Sequence, residues 1–253
     1  MSRPAPGSEG NRLAGRIAVI TGASRGIGAT VAKRFAAEGA HVVLIARTVG
    51  GLEEVDDAIR RAGGTAATLV PLNLREFAAI DQLGASLYER FGKVDVLVGN
   101  AGALGTLGPV GHTQPDAWAE VMDVNLTANW HLIRSLDPLL RQSSAGRAIF
   151  VTSGVAAQAT AYWGAYATSK AALEMLVRTY AAEIGKTNVR ANLLDPGAVR
   201  TAMRAKAFPG EDPETLPSPE SVAETFVTLA MASCTRNGEI VRANIGVKRR
   251  RSS

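Results

Sequence analysis

The sequence has almost no cysteine and no long apolar run. Cys234 is the only cysteine in 253 residues, so an intrachain disulfide is impossible and the chain suits a reducing compartment. No apolar run approaches the roughly eighteen residues that a membrane span needs. The first ten residues are rich in Pro, Gly and Ser and lack the hydrophobic stretch of a secretory signal. We therefore expect a cytoplasmic protein that does not enter a membrane.

The chain also has little net charge outside its last residues. The formal net charge is +5, and the stretch from Lys248 to Arg251 supplies four of these charges. The remaining residues therefore sum to about +1, which is no electrostatic footprint for DNA. We predict a solvated, disordered tail and no nucleic-acid partner. The alternative, a nucleic-acid binder that uses this tail, predicts that deletion of residues 248–253 abolishes binding.

Short apolar segments alternate with helical patterns along the whole chain. β-branched runs predict strands at Arg16–Thr21, His41–Ala46, Ala66–Leu72, Val94–Val98, Ala148–Thr152, Asn188–Leu194 and Glu239–Arg242. Apolar residues at helical spacing predict helices at Gly26–Glu38, Leu52–Ala62, Glu76–Phe91, Pro115–Leu140, Tyr162–Ile184 and Ser218–Ala232.

Strands that alternate with helices pair in parallel through right-handed crossovers. We therefore predict a single α/β domain over residues 13–244, with a Rossmann-like, doubly wound parallel sheet of about seven strands and helices on both faces. Residues 1–12 are predicted to form a disordered leader and residues 245–253 a basic tail. Sheets of this kind bind ligands at the carboxyl ends of their strands, so the loops that follow the strands are where chemistry is expected.

The first such loop is rich in glycine. It reads Thr-Gly-Ala-Ser-Arg-Gly-Ile-Gly from Thr21 to Gly28 and leads directly into a helix. Glycines let a pyrophosphate approach the backbone, and the helix N-terminus offers free N–H groups and a positive dipole end. The alternative is a glycine-rich turn capped by Ser24. The position between a buried strand and a helix favours dinucleotide binding, through Gly22, Ser24, Arg25, Gly26, Ile27 and Gly28.

The residue that ends the second strand indicates which dinucleotide binds. NAD-binding loops usually have an acidic residue there to hold the ribose 2′-hydroxyl, whereas this chain has Arg47. Together with Arg25, it could bind a 2′-phosphate through charge-assisted contacts. We therefore predict NADP, with NAD as the second choice. The alternative is that both arginines are ordinary surface residues.

A tyrosine and a lysine lie one turn apart on a predicted helix. Tyr166 and Lys170 share a helix face, so a neighbouring ammonium could bring the tyrosine pKa down from about 10 toward the range of a general acid–base. Ser153 ends the preceding strand, and its hydroxyl could bind a carbonyl oxygen in the same pocket. Taken singly, the pair could be an ordinary helix-surface pair and Ser153 an ordinary N-cap or turn serine.

These motifs together resemble the short-chain dehydrogenase/reductase family from about residue 13 to residue 241. Ser153, Tyr166 and Lys170 match the catalytic set of that family in type and spacing, and Asn125 resembles its fourth member. The resemblance implies hydride transfer between nicotinamide C4 and a carbonyl or carbinol carbon while Tyr166 gives or takes the proton. It implies that Lys170 lowers the tyrosine pKa and holds the ribose, that Ser153 polarises the substrate oxygen, and that Asn125 holds a water that relays protons.

The resemblance implies further contacts with the cofactor and with other copies of the chain. The segment Pro196–Thr201 resembles the one that contacts the nicotinamide, and the two long helices Pro115–Leu140 and Tyr162–Ile184 imply a homodimer or homotetramer. The stretches Trp163–Tyr166 and Arg200–Pro213 resemble a YciK-like bacterial branch of the family. Beyond the glycine loop and Arg47, the implied cofactor contacts are Asn73, Leu74, Asn100, Ala101, Gly102, Tyr166, Lys170, Pro196, Gly197, Val199 and Thr201; no metal site is expected.

Three positions depart from the family pattern. Gly99 replaces the first asparagine of the usual Asn-Asn-Ala-Gly, which weakens the expectation that this loop braces the sheet. Asn73 replaces the usual acidic residue after the third strand. The segment Ile245–Lys248 replaces the glycine-ended last strand that often builds subunit contacts, so a tetramer is less strongly implied.

The sequence limits the class of substrate but does not identify the substrate. The proline-rich segment Ala202–Pro219 follows the nicotinamide segment and is expected to be a mobile lid. Trp163 and Met203 could line an apolar pocket or simply pack, and Leu104–Gly111 could form the opposite wall. We expect a medium-sized aldehyde, ketone or secondary alcohol, with a 3-oxoacyl thioester second. The rival function is a non-catalytic dinucleotide-binding scaffold or sensor.

Overall fold

A computed structural model describes residues 11–243, and within them seven strands form one all-parallel sheet. Their order across the sheet is β3-β2-β1-β4-β5-β6-β7, so the predicted doubly wound α/β fold is confirmed. The strands are β1 (Ile17–Thr21), β2 (His41–Ala46), β3 (Thr68–Pro71), β4 (Val96–Gly99), β5 (Arg147–Val151), β6 (Arg190–Asp195) and β7 (Ile240–Arg242). The strand order reverses between β1 and β4, which places a crevice at their carboxyl ends.

Residues 11–243 form eight α-helices, six of which pack on the two faces of this sheet. They are α1 (Gly26–Ala37), α2 (Val49–Arg61), α3 (Phe77–Phe91), α4 (Pro115–Met122), α5 (Ala128–Gln142), α6 (Gly164–Glu183), α7 (Ala202–Ala207) and α8 (Glu220–Ala230). One core lies under α1, α2 and α8 and buries Phe35 and Phe226. The other lies under α3, α5 and α6 and buries Leu132 and Leu173. Within residues 11–243 no helix is long and apolar enough to cross a membrane.

The structure differs from the predicted elements at two helices. The single helix predicted from Pro115 to Leu140 contains a π-helical turn, Asp123–Thr127, between α4 and α5. Such turns occur frequently at functional sites, and this one contains Asn125. The short helix α7 was not predicted, because six residues within a proline-rich segment give no helical period. The other predicted boundaries lie within three residues of the observed ones.

The ordered domain begins earlier than residue 13. Arg12, assigned to the leader from the sequence, donates from Nε to Glu38 Oε2 at 3.1 Å and from Nη2 to Glu224 Oε2 at 2.9 Å. Arg12 therefore connects the C-terminal end of α1 to α8. The rest of the predicted leader, the basic tail and the segment Ile245–Lys248 lie outside the described residues.

Candidate active site

The glycine loop after β1 has the backbone that a phosphate contact requires. Gly22 and Gly26 have φ of +66° and +57°, in the left-handed region that favours glycine. A Cβ at Gly22 would lie 2.9 Å from Ala101 Cα, and one at Gly28 would clash with the Gly22 carbonyl oxygen. Arg25 occupies the N-cap of α1, and no side chain caps the helix there. The interpretation as a turn capped by Ser24 is therefore wrong, and the N–H groups of α1 face the crevice at this end.

The loop after β4 is bonded to the end of β1. Asn100 Nδ2 donates to the Thr21 carbonyl oxygen at 2.9 Å, and the backbone N–H groups of Asn100 and Ala101 donate to Thr21 Oγ1 at 3.0 and 3.1 Å. The loop thus braces the sheet although Gly99 replaces an asparagine. A Cβ at Gly99 would clash with the Phe150 ring and lie 2.6 Å from the Oδ1 of Asn129 in α5, so these two side chains fill the space that the glycine leaves.

Two arginines lie at the entrance to the crevice, beside β1 and β2. Arg25 and Arg47 are both exposed, and α2 begins two residues after Arg47. No side chain caps α2 and its first turn has no acidic residue. A Cβ at Gly51, in that first turn, would lie 2.9 Å from Ser24 Cβ, so the glycine loop and α2 are in close contact. The two arginines and the α2 N-terminus therefore create a positively polarised surface next to the glycine loop.

The remaining predicted cofactor residues lie at the same edge of the sheet. Asn73 Oδ1 accepts a hydrogen bond from the Arg75 N–H at 3.2 Å, and Leu74 behind it is buried. After β6, Gly197 has φ of +67° and is exposed, whereas Pro196 and Val199 are buried. The Thr201 hydroxyl accepts from the Arg204 N–H and so caps α7.

The three predicted catalytic side chains meet where β5 and α6 adjoin. Ser153 lies two residues beyond the end of β5, and Tyr166 and Lys170 lie in the first two turns of α6. Both helix residues are buried, with 8 % and 3 % of their surface exposed. Lys170 Nζ donates to the Val151 carbonyl oxygen at 2.8 Å and lies 5.8 Å from the centre of the Tyr166 ring.

Burial sets the acidity of this pair. It raises the pKa of Tyr166 to about 12; a hydrogen bond with the Ser153 hydroxyl acts against this rise, and the charge of Asp195 adds to it. Burial also lowers the pKa of Lys170 to about 8. The expected lowering of the tyrosine pKa by the ammonium is not seen in this arrangement: burial sets the direction, and Lys170, which donates to the Val151 carbonyl, is not among the groups that shift the pKa.

Asn125 connects this pair to the loop after β4. Its side chain is fully buried; Oδ1 accepts from the Ala103 N–H at 2.7 Å, while Nδ2 donates to the Ala103 carbonyl and to Ser169 Oγ, both at 2.9 Å. The Asn125 carbonyl oxygen accepts from Asn129 Nδ2 at 2.8 Å. A Cβ at Gly102 would lie 3.5 Å from Asn125 Oδ1 and 3.8 Å from Lys170 Nζ, so the three groups are neighbours.

Two aromatic side chains pack together beside Tyr166: Trp163, which directly precedes α6, and Phe208, which directly follows α7. The half-buried Trp163 ring lies 5.9 Å from the Tyr166 ring and 5.7 Å from the Phe208 ring, between centres. The Arg204 guanidinium stacks on Phe208 at 3.7 Å and forms two hydrogen bonds of 2.6 and 2.7 Å with Glu211. Trp163 therefore contacts both Tyr166 and the segment Ala202–Pro219, which was predicted to be a lid.

The segment Leu104–Gly111, which was expected to form a wall of the pocket, packs against the start of α6. The Gly108 N–H donates to the Tyr162 carbonyl oxygen at 2.9 Å, and Tyr162 has a strained φ of +74°. A Cβ at Gly164 would lie 2.6 Å from Val110 Cγ2, so this segment packs against the start of α6. On the lid side, Met203 Cε lies 3.7 Å from the position of a Gly102 Cβ.

One residue of this region was not predicted from the sequence. Asp195 ends β6, directly before the predicted nicotinamide segment, and is 9 % exposed. Its Oδ1 accepts from the Gly197 N–H at 3.0 Å, and its Oδ2 lies 3.9 Å from Arg242 Nε. An acidic residue directly before Pro-Gly at a strand end was the available signal, but a strand-end carboxylate is as often a turn residue.

Comparison with known proteins gives one consistent match. Residues 16–212 match the family model described as short chain dehydrogenase. The chain is similar to the oxidoreductase YciK of Escherichia coli (strain K12), with 38% identity over 216 residues, which cover 85% of each protein. It is also similar to a fatty acyl-CoA reductase of Acinetobacter baylyi, with 39% identity over 217 residues, or 84% of this chain and 72% of that protein.

Solved structures agree with these sequence matches. A short-chain dehydrogenase from Escherichia coli CFT073, complexed with NADPH, is 36% identical and superposes with a TM-score of 0.89. The superposition covers 92% of this chain and 98% of that one. The predicted resemblance to the family and to its YciK-like branch is therefore confirmed.

Proposed function

Because the chain belongs to the short-chain dehydrogenase family, an enzyme family that acts on CH–OH groups with NAD(P), we propose that it reduces a carbonyl compound with NADPH or oxidises the corresponding alcohol with NADP. The observation that carries the proposal is the convergence of Ser153, Tyr166 and Lys170 beside the crevice at the carboxyl ends of the strands. A dinucleotide-binding scaffold would have no need of a buried tyrosine and lysine next to a serine.

The cleft fits NADP(H) on three structural grounds. The glycines leave a backbone surface that a Cβ would obstruct, the α1 N-terminus is uncapped, and Arg25 and Arg47 are exposed beside the uncapped α2 N-terminus. The glycine loop would hold the pyrophosphate and the arginines the 2′-phosphate. The bound nicotinamide would supply the hydride. Asn73 and Leu74 would contact the adenine; Asn100, Ala101, Gly102, Pro196, Gly197, Val199 and Thr201 would line the ribose and nicotinamide positions.

Tyr166 is proposed to move the proton. With a pKa of about 12 the phenol stays protonated at neutral pH and can donate to a carbonyl oxygen as that oxygen gains charge. The Ser153 hydroxyl, which is close enough to the phenol to oppose the rise in its pKa, would polarise the same oxygen. Lys170, with a pKa of about 8, is mostly cationic at neutral pH and would hold ribose hydroxyls. Asn125 would position the lysine and the loop after β4, and the water that the family resemblance assigns to it stays a prediction.

The walls of the cleft favour a medium-sized, partly apolar carbonyl compound. Trp163 lies next to Phe208, Met203 lies beside Gly102, and Val110 lies beside Gly164. A 3-oxoacyl thioester is the second candidate, supported by the similarity to a protein named fatty acyl-CoA reductase. A cytoplasmic location remains a prediction from the single cysteine. Assembly into a homodimer or homotetramer through α5 and α6 is also still a prediction. The exposed side chains of Trp130 and Met175 on those helices support it.

The test is a panel of aldehydes, ketones and alcohols followed by the absorbance of NADPH, with Ser153→Ala as the matched variant. Wild-type protein should reduce members of the panel. Removal of the Ser153 hydroxyl should lower kcat by a factor of about 10²–10³, which is the usual loss when one hydrogen-bond donor to a developing oxyanion is removed. Tight NADPH binding without turnover of any member would instead favour the scaffold.

A further inference from the structure

Next to the proposed catalytic serine lies a carboxylate that the proposed reaction leaves unused. The side chain of Asp195 is 11% exposed, and the Gly197 N–H fixes its orientation through Oδ1. Among residues 11–243 no donor forms a hydrogen bond with Oδ2, and the nearest cation, Arg242, is 3.9 Å away. This oxygen keeps some contact with solvent, since it is not among the fully buried polar atoms without a partner, so a substrate group that reaches it could supply the hydrogen bond that the described residues do not.

Oδ2 of Asp195 lies beside Gly154, the residue that follows the proposed catalytic serine. A Cβ at Gly154 would lie 3.6 Å from Asp195 Oδ2, with no other atom within 4 Å. Gly154 is exposed and directly follows Ser153, and consecutive Cα atoms lie about 3.8 Å apart. The carboxylate also lies close enough to raise the pKa of Tyr166. Because position 154 has no side chain, the space between Oδ2 and the proposed position of the substrate is open.

We propose that Asp195 Oδ2 accepts a hydrogen bond from a hydroxyl group on the carbon next to the reacting carbonyl. The preferred substrates would then be α-hydroxy ketones or aldehydes, and vicinal diols in the direction of oxidation. This inference rests on the proposed function and narrows its substrate class. A site built to pair with a substrate hydroxyl rejects analogues without it, because its own buried polar group is then left unpaired.

The charge around Asp195 favours a neutral donor over an ammonium group. Arg242, whose side chain is 85% exposed, already places a positive charge 3.9 Å from Oδ2 but does not form a hydrogen bond with it. A substrate cation at Oδ2 would be repelled by this guanidinium, whereas a hydroxyl would supply the missing hydrogen bond without adding charge. An amino ketone is therefore the comparison that separates the two possibilities.

The experiment compares four phenyl ketones in the NADPH assay with wild-type protein. They are 2-hydroxyacetophenone, acetophenone, 2-methoxyacetophenone and 2-aminoacetophenone. The methoxy compound has a similar electronic effect on the carbonyl as the hydroxy compound but cannot donate a hydrogen bond. We expect kcat/KM for the hydroxy compound to exceed that for the methoxy compound by roughly 10- to 100-fold, the range for a hydrogen bond to a charged group.

Two variants assign this ratio to Asp195. Asp195→Asn keeps an oxygen for the Gly197 N–H and replaces Oδ2 with an NH₂ group, so the ratio should fall to near one. Gly154→Ala leaves the carboxylate in place and fills the space in front of it; its backbone lies outside the left-handed region, so alanine fits there. We expect the hydroxy-to-methoxy ratio of kcat/KM to fall to near one in this variant too. Gly154→Ala therefore keeps the test decisive if Asp195→Asn does not fold.

The outcomes separate this inference from the function on which it rests. A hydroxy-to-methoxy ratio that persists in both variants, or that is near one in wild-type protein, overturns the role of Asp195 while carbonyl reduction stands. A preference for the amino compound overturns the choice of a neutral hydroxyl. Absence of turnover with all four ketones and with the wider carbonyl panel, in protein that binds NADPH, would overturn the proposed function and this inference with it.

Discussion

Arg47 offers a quantitative test of the cofactor assignment through the variant Arg47→Asp. In NADP(H) binding its guanidinium would make a charge-assisted contact with the 2′-phosphate, of the kind that contributes about 1.5–3 kcal/mol. Because Arg47 is exposed, the lower end of this range applies, so loss of the contact corresponds to about a tenfold rise in KM for NADPH. The introduced carboxylate adds repulsion of the phosphate and can accept hydrogen bonds from a ribose 2′-hydroxyl.

The assay measures KM and kcat/KM for NADPH and for NADH, with the same reducible ketone as the second substrate. We expect the preference for NADPH over NADH to fall by at least tenfold in Arg47→Asp, and further in the double variant with Arg25→Ala. The matched control is Arg61→Asp, which makes the same charge change at the other end of α2. A helix of 13 residues spans about 20 Å, more than two Debye lengths at physiological salt, so the control should leave the preference unchanged.

Three results would refute this reasoning. One is an NADPH preference that survives in the double variant. Another is an equal fall in the Arg61→Asp control, which would make the effect one of overall charge. A wild-type protein that prefers NADH would also remove the basis for assigning Arg25 and Arg47 to a phosphate.

Two further predictions concern the lid and the edge of the domain. Phe208→Ala removes the ring between Trp163 and Arg204, so KM for apolar ketones should rise about 2- to 10-fold. The control is Tyr88→Ala, which removes an exposed aromatic side chain from α3 and should leave KM unchanged. Equal effects of the two variants would show that the lid does not contact substrate. Arg12→Ala removes donors from Glu38 and should cost about 1–3 kcal/mol in urea unfolding at pH 7. Since Arg12 holds the pKa of Glu38 at about 2, below its ordinary 4.5, this contribution is present above pH 4.5 and lost as the pH falls to about 2; a loss that is independent of pH would contradict the pairing.

The fold could be predicted because it depends on patterns that short windows of sequence contain. Buried parallel strands are continuous apolar runs, and the helices between them repeat apolar residues at helical spacing. The π-helical turn around Asn125 could not be predicted, because one extra residue in a turn hardly changes that spacing. The helix α7 is held by the Thr201 cap and by tertiary contacts, and has no periodic signal of its own.

Within the site, the sequence predicted residue types better than their surroundings. The glycine loop and the Ser153, Tyr166 and Lys170 set were singled out from motif and spacing. Spacing on a helix could not show that both Tyr166 and Lys170 would be buried and that the lysine would donate to the Val151 carbonyl, which reverses the expected direction of the tyrosine pKa. Contacts between segments that are distant in the sequence, such as that of Asn129 with Gly99, could not be predicted either.

The most direct test of the proton-transfer role is Tyr166→Phe, which keeps the ring against Trp163 and removes only the hydroxyl. NADPH affinity, followed by titration of the cofactor's fluorescence, and turnover of a ketone that the wild-type protein reduces should be measured on the same preparation. The account predicts that the variant binds NADPH with nearly unchanged affinity and that kcat falls by about 10²–10⁴, the range for loss of a general acid. Turnover at the wild-type rate would contradict it.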